Sequence, residues 1–247
     1  MKHLIILLIA IFSFGTTFGQ LSGGYEFVRP PGEFNYHISF SKKGQYSLII
    51  ANELCSMIFM IPFSDGRYTV KNNQITFRDM NHGFVMKASL ISSGKKILIN
   101  KGFAFLNGDT AIWYREEREW EFPISGKGTI LQKKEREAYL QQHKHEYPIR
   151  YETYEGEYNW QPTIGAKWEK GYDYELNIQK NHQYTLHYYR RLILKGTWSR
   201  NGNEIALYDE SLQHTFYLLV GKDELISKYL PGGDNSPILK HEWQWAK

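Results

Sequence analysis

Apolar and polar residues alternate with period two along much of this chain. Phe34, Tyr36, Ile38 and Phe40 fall on one side of a run, and Asn35, His37 and Ser39 on the other. Such alternation predicts a strand with one face on a core and one toward water. The polar stretch Ser41 to Gly44 leads into a second alternating run, Tyr46, Leu48 and Ile50, which is the spacing of a hairpin. The same pattern returns with Tyr172, Tyr174, Leu176 and Ile178, a turn over Gln179 to His182, then Tyr184, Leu186 and Tyr188. A second hairpin is also written twice. Gly66, Asn73, Ile75, Phe77 and Asp79 return as Gly196, Asn203, Ile205, Leu207 and Asp209. Its turns are Asn72-Asn73 and Asn201-Gly202, residues that tolerate the positive φ of tight hairpin turns.

The first pair of passages, 34–48 and 172–186, is identical at five of fifteen positions, and the second, 66–79 and 196–209, at four of fourteen. Five of the twenty mismatches exchange one apolar residue for another, as in Phe40 for Ile178 and Phe77 for Leu207. The chain therefore reads as two copies of one all-β module. Further strands are predicted over Phe84–Leu90, Lys96–Asn100 and Thr110–Tyr114 in copy one. In copy two they fall over Thr215–Val220, Glu224–Lys228 and Pro237–Trp243. Opening strands near Tyr25 and Tyr158 bring each copy to roughly seven or eight. Even spacing with little helical patterning predicts antiparallel up-and-down pairing, closed into a barrel to hide its edges. The first passage repeats at an offset of 138 residues and the second at 130, so copy one carries eight extra residues between Leu48 and Gly66.

Between the copies, about Glu116 to Arg150, the pattern changes. Thr129-Ile130-Leu131-Gln132 fits a capping box, with Thr129 as N-cap and Gln132 reaching back. Helix formers follow and Pro148 stops them, which predicts one helix over about 130–143. Its apolar stripe is thin, so it is expected to be solvated and to brace the two modules.

The N-terminus has the order of a secretion signal. Lys2 and His3 precede the apolar run Leu4 to Phe14, and Thr17-Phe18-Gly19 supplies small residues at the cleavage spacing. The run is shorter than the about 20 residues that cross a bilayer. No Cys follows the expected cleavage site, so no lipid anchor is expected, and the protein should be periplasmic or extracellular. The expected organisation is a signal peptide over 1–19, a first barrel over 20–115, a linker over 116–150 and a second barrel over 151–247. Cys55 is the single cysteine, which excludes an internal disulfide. Removing residues 1–19 lowers the formal charge from +4 to +3, and no dense basic stripe is present, which argues against nucleic acid. Eighteen Tyr, fourteen Phe and seven Trp suit strands.

Leu21-Ser22-Gly23-Gly24-Tyr25 resembles the opening motif of small bacterial lipocalin-like domains, and Glu155-Gly156-Glu157-Tyr158 does so more loosely. Ile38-x-Phe40 with Gly44-x-Tyr46, and Gly196-x-Trp198 with Asn203-x-Ile205-x-Leu207, are similar to that family's hairpins. Leu218 to Ile226 is similar to its late strand–turn–strand. The resemblance covers most of both copies. It implies two tandem antiparallel up-and-down lipocalin-like β-barrels, usually non-enzymatic and often exported. Members tied to envelope copper stress carry a C-x-x-C and a lipid anchor. This chain has neither, so that role is not carried over.

Candidate chemistry is sparse. Cys55, Met57, Met60, Met80 and Met86 all fall in copy one; soft ligands of this kind favour Cu(I), and equally they fill apolar cores. Cys55, Met57 and Met60 are the weak metal candidates. His143-x-His145-Glu146 closes the linker helix, where residues two apart do not share a face. Ser125-Gly126-Lys127-Gly128-Thr129 lacks the first glycine of a phosphate loop. Ser39-x-x-Lys42 and Ser92-x-x-Lys95 fit a nucleophile spacing by coincidence, since the companion motifs are missing. No catalytic constellation and no cofactor are expected. Trp160 and Trp168, near Pro162 and Gly165, would either stack on a sugar or plug a barrel end.

The leading expectation is an exported, non-enzymatic protein holding a small apolar or amphipathic ligand inside a barrel. Its walls would be Tyr36, Ile38, Phe40, Tyr46 and Leu48, with Tyr174, Leu176, Ile178, Tyr184 and Leu186 in copy two, and Trp160 and Trp168 of the loop would join the ligand site. The alternative is a cell-envelope interaction or scaffold protein with filled barrels, binding a protein or a glycan through its loops. Soft-metal binding in barrel one is the remote third.

Overall fold

The computed structural model describes residues 21–28, 35–52, 59–115, 126–149, 157–160, 174–188, 191–222, 224–231 and 242–245. The expected signal peptide, Cys55, Met57 and Trp168 lie outside them.

The first copy closes into an eight-stranded antiparallel barrel. Its strands are β1 (Gly23–Phe27), β2 (Asn35–Phe40), β3 (Gln45–Asn52), β4 (Phe59–Lys71), β5 (Gln74–Asp79), β6 (Val85–Ile91), β7 (Lys96–Lys101) and β8 (Thr110–Tyr114). Each pairs with the next, and β8 returns to β1 through Tyr25↔Trp113 and its neighbours. The alternation behaves as expected. Tyr36, Ile38 and Phe40 point into the core, as do Ile75, Phe77 and Asp79 on β5. Asn72 and Asn73 take φ of 50° and 59° at the β4–β5 turn, the left-handed pair a two-residue hairpin needs.

The repeated glycine has a packing cause. Gly66 sits opposite Asp79, and a Cβ there would stand 1.9 Å from the Arg78 carbonyl oxygen. Its counterpart Gly196 sits opposite Asp209, where a Cβ would stand 2.0 Å from the Tyr208 carbonyl oxygen. In both copies the neighbouring backbone approaches too closely for any side chain.

The second copy forms a curled antiparallel sheet. It opens with β9 (Glu157–Trp160), continues through β10 (Tyr174–Ile178), β11 (Gln183–Tyr188), β12 (Arg191–Asn201), β13 (Glu204–Asp209), β14 (His214–Val220) and β15 (Glu224–Ile226), and ends with β16 (Glu242–Trp245). Strands β10 to β15 pair in chain order. A register shift follows Leu48 in copy one and Leu186, its repeat equivalent, in copy two. The eight extra residues of copy one lengthen the hairpin beyond that irregularity. They add two residues to β3, two to β4 and four to the connection.

The linker helix α1 spans Gly128–Gln142, starting before the expected position. The capping box is not made: Lys127 is the N-cap and no side chain bonds there. The physical reason is tertiary. Gly128 is pressed onto the β5–β6 connection, where a Cβ would stand 2.7 Å from the Met80 carbonyl oxygen. Gln132 Nε2 is drawn to the Asn81 carbonyl at 2.6 Å instead of reaching back. As expected, α1 buries no residue fully and braces both copies. Its hold on the second sheet is Arg136 on Glu204 at 2.8 Å, and Tyr139 donating to the Val220 carbonyl at 3.0 Å.

The cores of the two copies are continuous. Phe84 of the first lies 5.7 Å from Phe216 and 6.1 Å from His214 of the second, and the Ala104 N–H donates to the Ile193 carbonyl at 3.2 Å.

Candidate functional site

The barrel walls read from the sequence do come together in copy one. Tyr36, Ile38, Tyr46 and Leu48 have no accessible surface, and Phe40 retains 6 %. They meet one another and further rings. Tyr36 lies 4.7 Å from Phe105, Phe40 lies 4.8 Å from Tyr68, and Tyr46 lies 4.9 Å from Phe77. At the Tyr36 end, Phe103 and Phe105 stack at 5.8 Å and cover Phe63 edge-on. At the other end, Tyr68 Oη donates to the Leu21 carbonyl at 3.0 Å and Tyr25 Oη to the Gly94 carbonyl at 2.6 Å. Edge-to-face rings at these separations are favourable packing. Phe103 and Phe105 went unnoticed in the sequence, although Gly102-Phe-Ala-Phe-Leu-Asn-Gly108 places two rings between glycines.

In copy two, Leu176, Ile178 and Leu186 are fully buried and Tyr184 keeps 1 %. Tyr174 and Trp160 are direct partners on β10 and β9. The side chains of Trp160 and Tyr174 lie outside the described residues, as does that of Met60 on β4. The two sets of wall residues lie on separate sheets within one continuous core.

A buried polar chain crosses barrel one. Ser64 Oγ donates to Asp79 Oδ2 at 2.8 Å, so the Tyr46 hydroxyl, 2.6 Å from Ser64 Oγ, donates to the serine. Asp79 Oδ1 accepts the backbone N–H groups of Asn81, His82 and Gly83. Burial, and then the negative Asp79, push the Tyr46 phenol well above its usual range. Beside them, burial raises Asp65 to about 6 against a hydrogen bond from Ser47, with Asp79 raising it further. His82 Nδ1 approaches Asp79 Oδ1 to 3.4 Å without a hydrogen bond. Serine, histidine and aspartate are thus neighbours, yet the serine donates to the carboxylate and not to the imidazole. No base takes its proton, and Asp79 and His82 are almost fully enclosed. Asp79 is the cap of the β5–β6 connection, which explains its recurrence as Asp209.

Copy two keeps the tyrosine and the aspartate of this arrangement, while leucines, Leu194 and Leu212, stand at the repeat positions of Ser64 and His82. Asp209 accepts the Leu212 N–H at 2.7 Å and the Lys195 N–H at 3.0 Å. Leu194 pairs with Leu186 where Ser64 pairs with Leu48. The Tyr184 hydroxyl, buried beside Asp209, has no hydrogen-bond partner among the described residues.

The linker histidines are held by their backbone. Asn203 Nδ2 donates to the carbonyls of His143 and His145, both at 2.8 Å, and Asn203 Oδ1 accepts the Tyr147 N–H at 2.8 Å. The His143 ring stacks on Tyr139 at 4.0 Å and its Nδ1 donates to the Tyr139 carbonyl. The segment after α1 is therefore clamped to the β12–β13 turn. Among the described residues no group of three His, Cys, Asp or Glu side chains converges for a metal, and no helix is long and apolar enough to cross a membrane. Met86 is packed inside barrel one, and Met80 lies under the start of α1.

No protein-family model matches the chain, and neither a curated protein nor a solved structure matches it.

Proposed function

We propose that this is an exported, non-enzymatic interaction protein built on two lipocalin-like barrels with filled interiors, which meets its partner on an outer face. The observation that carries the reading is the interior of the first barrel, where Tyr36, Phe40 and Tyr46 spend their surface on Phe105, Tyr68 and Phe77. An eight-stranded barrel is just wide enough for its side chains to fill it. That favours the scaffold reading over a ligand held in the lumen. For the second copy, closure into a barrel is supported by the pairing of β15 with β16, β16 with β9 and β9 with β10. Export rests on the order of residues 1–19, and the absence of catalytic roles on the enclosure of the Ser64–Asp79–His82 group.

Native mass spectrometry of the protein purified from its own host, before and after denaturation, tests the reading. The expected result is the same apo mass in both. A small molecule released on denaturation, and no longer retained when Leu48→Trp narrows the lumen, would overturn it.

A further inference from the structure

Outside the barrels, a groove of about 500 Å³ runs between α1 and the turn joining β14 to β15. That volume lies within the ordinary range of small-molecule sites. Ala138, Tyr139 and Ile226 make an apolar floor, and Tyr147 and His143 continue the wall. The rings of Tyr139, His143 and Tyr147 follow one another at 4.0 and 6.3 Å, so one side of the groove is aromatic.

Hydrogen bonds hold the wall in place. Asn203 fixes the carbonyls of His143 and His145 and the N–H of Tyr147, and Arg200 Nη2 donates to the Tyr147 carbonyl. Tyr139 is tied to β14 through the Val220 carbonyl. Sites held this way lose little entropy on binding.

The charge of the groove is unbalanced. The one carboxylate among its described lining residues, Glu135, is taken by Lys228 Nζ at 2.6 Å and by the Tyr229 hydroxyl at 3.1 Å. Lys222, also on the lining, has no partner among the described residues. Among the described residues, one ammonium is left over beside an aromatic and aliphatic floor. Gln142 adds an amide at the rim.

We propose that this groove binds a small aromatic carboxylate, its ring against Tyr139, Ala138 and Ile226 and its anionic end toward Lys222. The proposal rests on the filled-barrel reading, because it places the ligand on the outer face. A charge-assisted contact to Lys222 sets the orientation, and the ring ladder supplies the apolar contact.

The test is calorimetric titration of the mature protein with sodium 3-phenylpropionate, using 3-phenyl-1-propanol as the uncharged control. One saturable site is expected for the carboxylate, with at least tenfold weaker binding of the alcohol. Lys222→Gln should weaken the carboxylate at least tenfold and leave the alcohol unchanged. Ala138→Trp should abolish both; Ala138 is exposed on the helix, so an unchanged melting temperature verifies the fold of that variant. Equal affinity for acid and alcohol, or binding that survives Ala138→Trp, overturns the proposal. If the surviving binding is then lost in Leu48→Trp, the filled-barrel reading falls as well. If wild-type protein binds neither probe, the groove proposal fails and the filled barrels stand.

Discussion

Tyr46 and Tyr184 are the same residue in two copies of one module, yet removing their hydroxyls should have opposite effects. Tyr46 Oη donates to Ser64, which in turn donates to Asp79. Tyr46→Phe deletes a buried hydrogen bond and leaves one lone pair of Ser64 without a donor, a loss of about 1–2 kcal/mol. Tyr184 Oη is enclosed with no partner among the described residues, because Leu194 stands where the serine would be. Burying a hydroxyl without a hydrogen bond costs about 1–3 kcal/mol on protein scales. Tyr184→Phe removes that cost with no change in ring packing, so it should stabilise by about 1 kcal/mol or more. For a chain of this size each kcal/mol shifts the melting temperature by about 2–4 °C. Calorimetry or circular-dichroism melts of the mature protein should place Tyr46→Phe below wild type and Tyr184→Phe above it, about 4–10 °C apart. Equal destabilisation by the two variants would refute the reasoning, since it would mean that the Tyr184 hydroxyl is as well bonded as that of Tyr46.

Further outcomes follow from the same geometry. Gly66→Ala and Gly196→Ala should each cost about 3 kcal/mol or more, because the added methyl meets a neighbouring carbonyl within 2.0 Å; soluble yield and melting temperature would register it, and a neutral effect would discredit the close approach. Asn203→Ala should release the segment after α1, read as loss of amide-exchange protection at Tyr147 with little change in the β-sheet signal. Asp65 is raised to about 6 from 3.8, so the folded protein holds its proton more tightly than the unfolded chain. Its ionisation therefore costs stability above pH 6, and that cost is relieved as pH falls from about 6 toward 3.8. Asp65→Asn should raise stability at pH 7 by roughly 2–3 kcal/mol and remove that limb of the pH profile. His214 moves the other way. Burial lowers its pKa, with His82 adding to the effect, so its contribution is lost as pH falls below its ordinary value of 6.5. His214→Gln should flatten that acid-side decline in urea titrations.

Residues that act on near neighbours in the chain were legible from the start. Period-two alternation placed Tyr36, Ile38 and Phe40 inside and the hairpin turns at Asn72-Asn73 and Asn201-Gly202, because face and turn are decided within a few residues. The repeat marked Gly66 and Gly196, and Asp79 and Asp209, as positions the module needs. It did not supply the reasons, a carbonyl on the adjacent strand for the glycines and a cap on the following loop for the aspartates. The capping box at Thr129 failed for a related cause: its glutamine donates to the carbonyl of Asn81, a residue fifty-one positions away, instead of accepting the N-cap N–H.

The sequence by itself determined the strands, the duplication and the single bracing helix, since each rests on local periodicity and on turn or helix-forming residues. Only the tertiary structure decided that β8 returns to β1, that Phe103 and Phe105 fold over the barrel end, and that Asn203 turns from a hairpin residue into the clamp of the linker. Those outcomes depend on which side chains from distant strands fill a shared volume, and on which buried polar groups find partners across it. No window of local alternation contains that information.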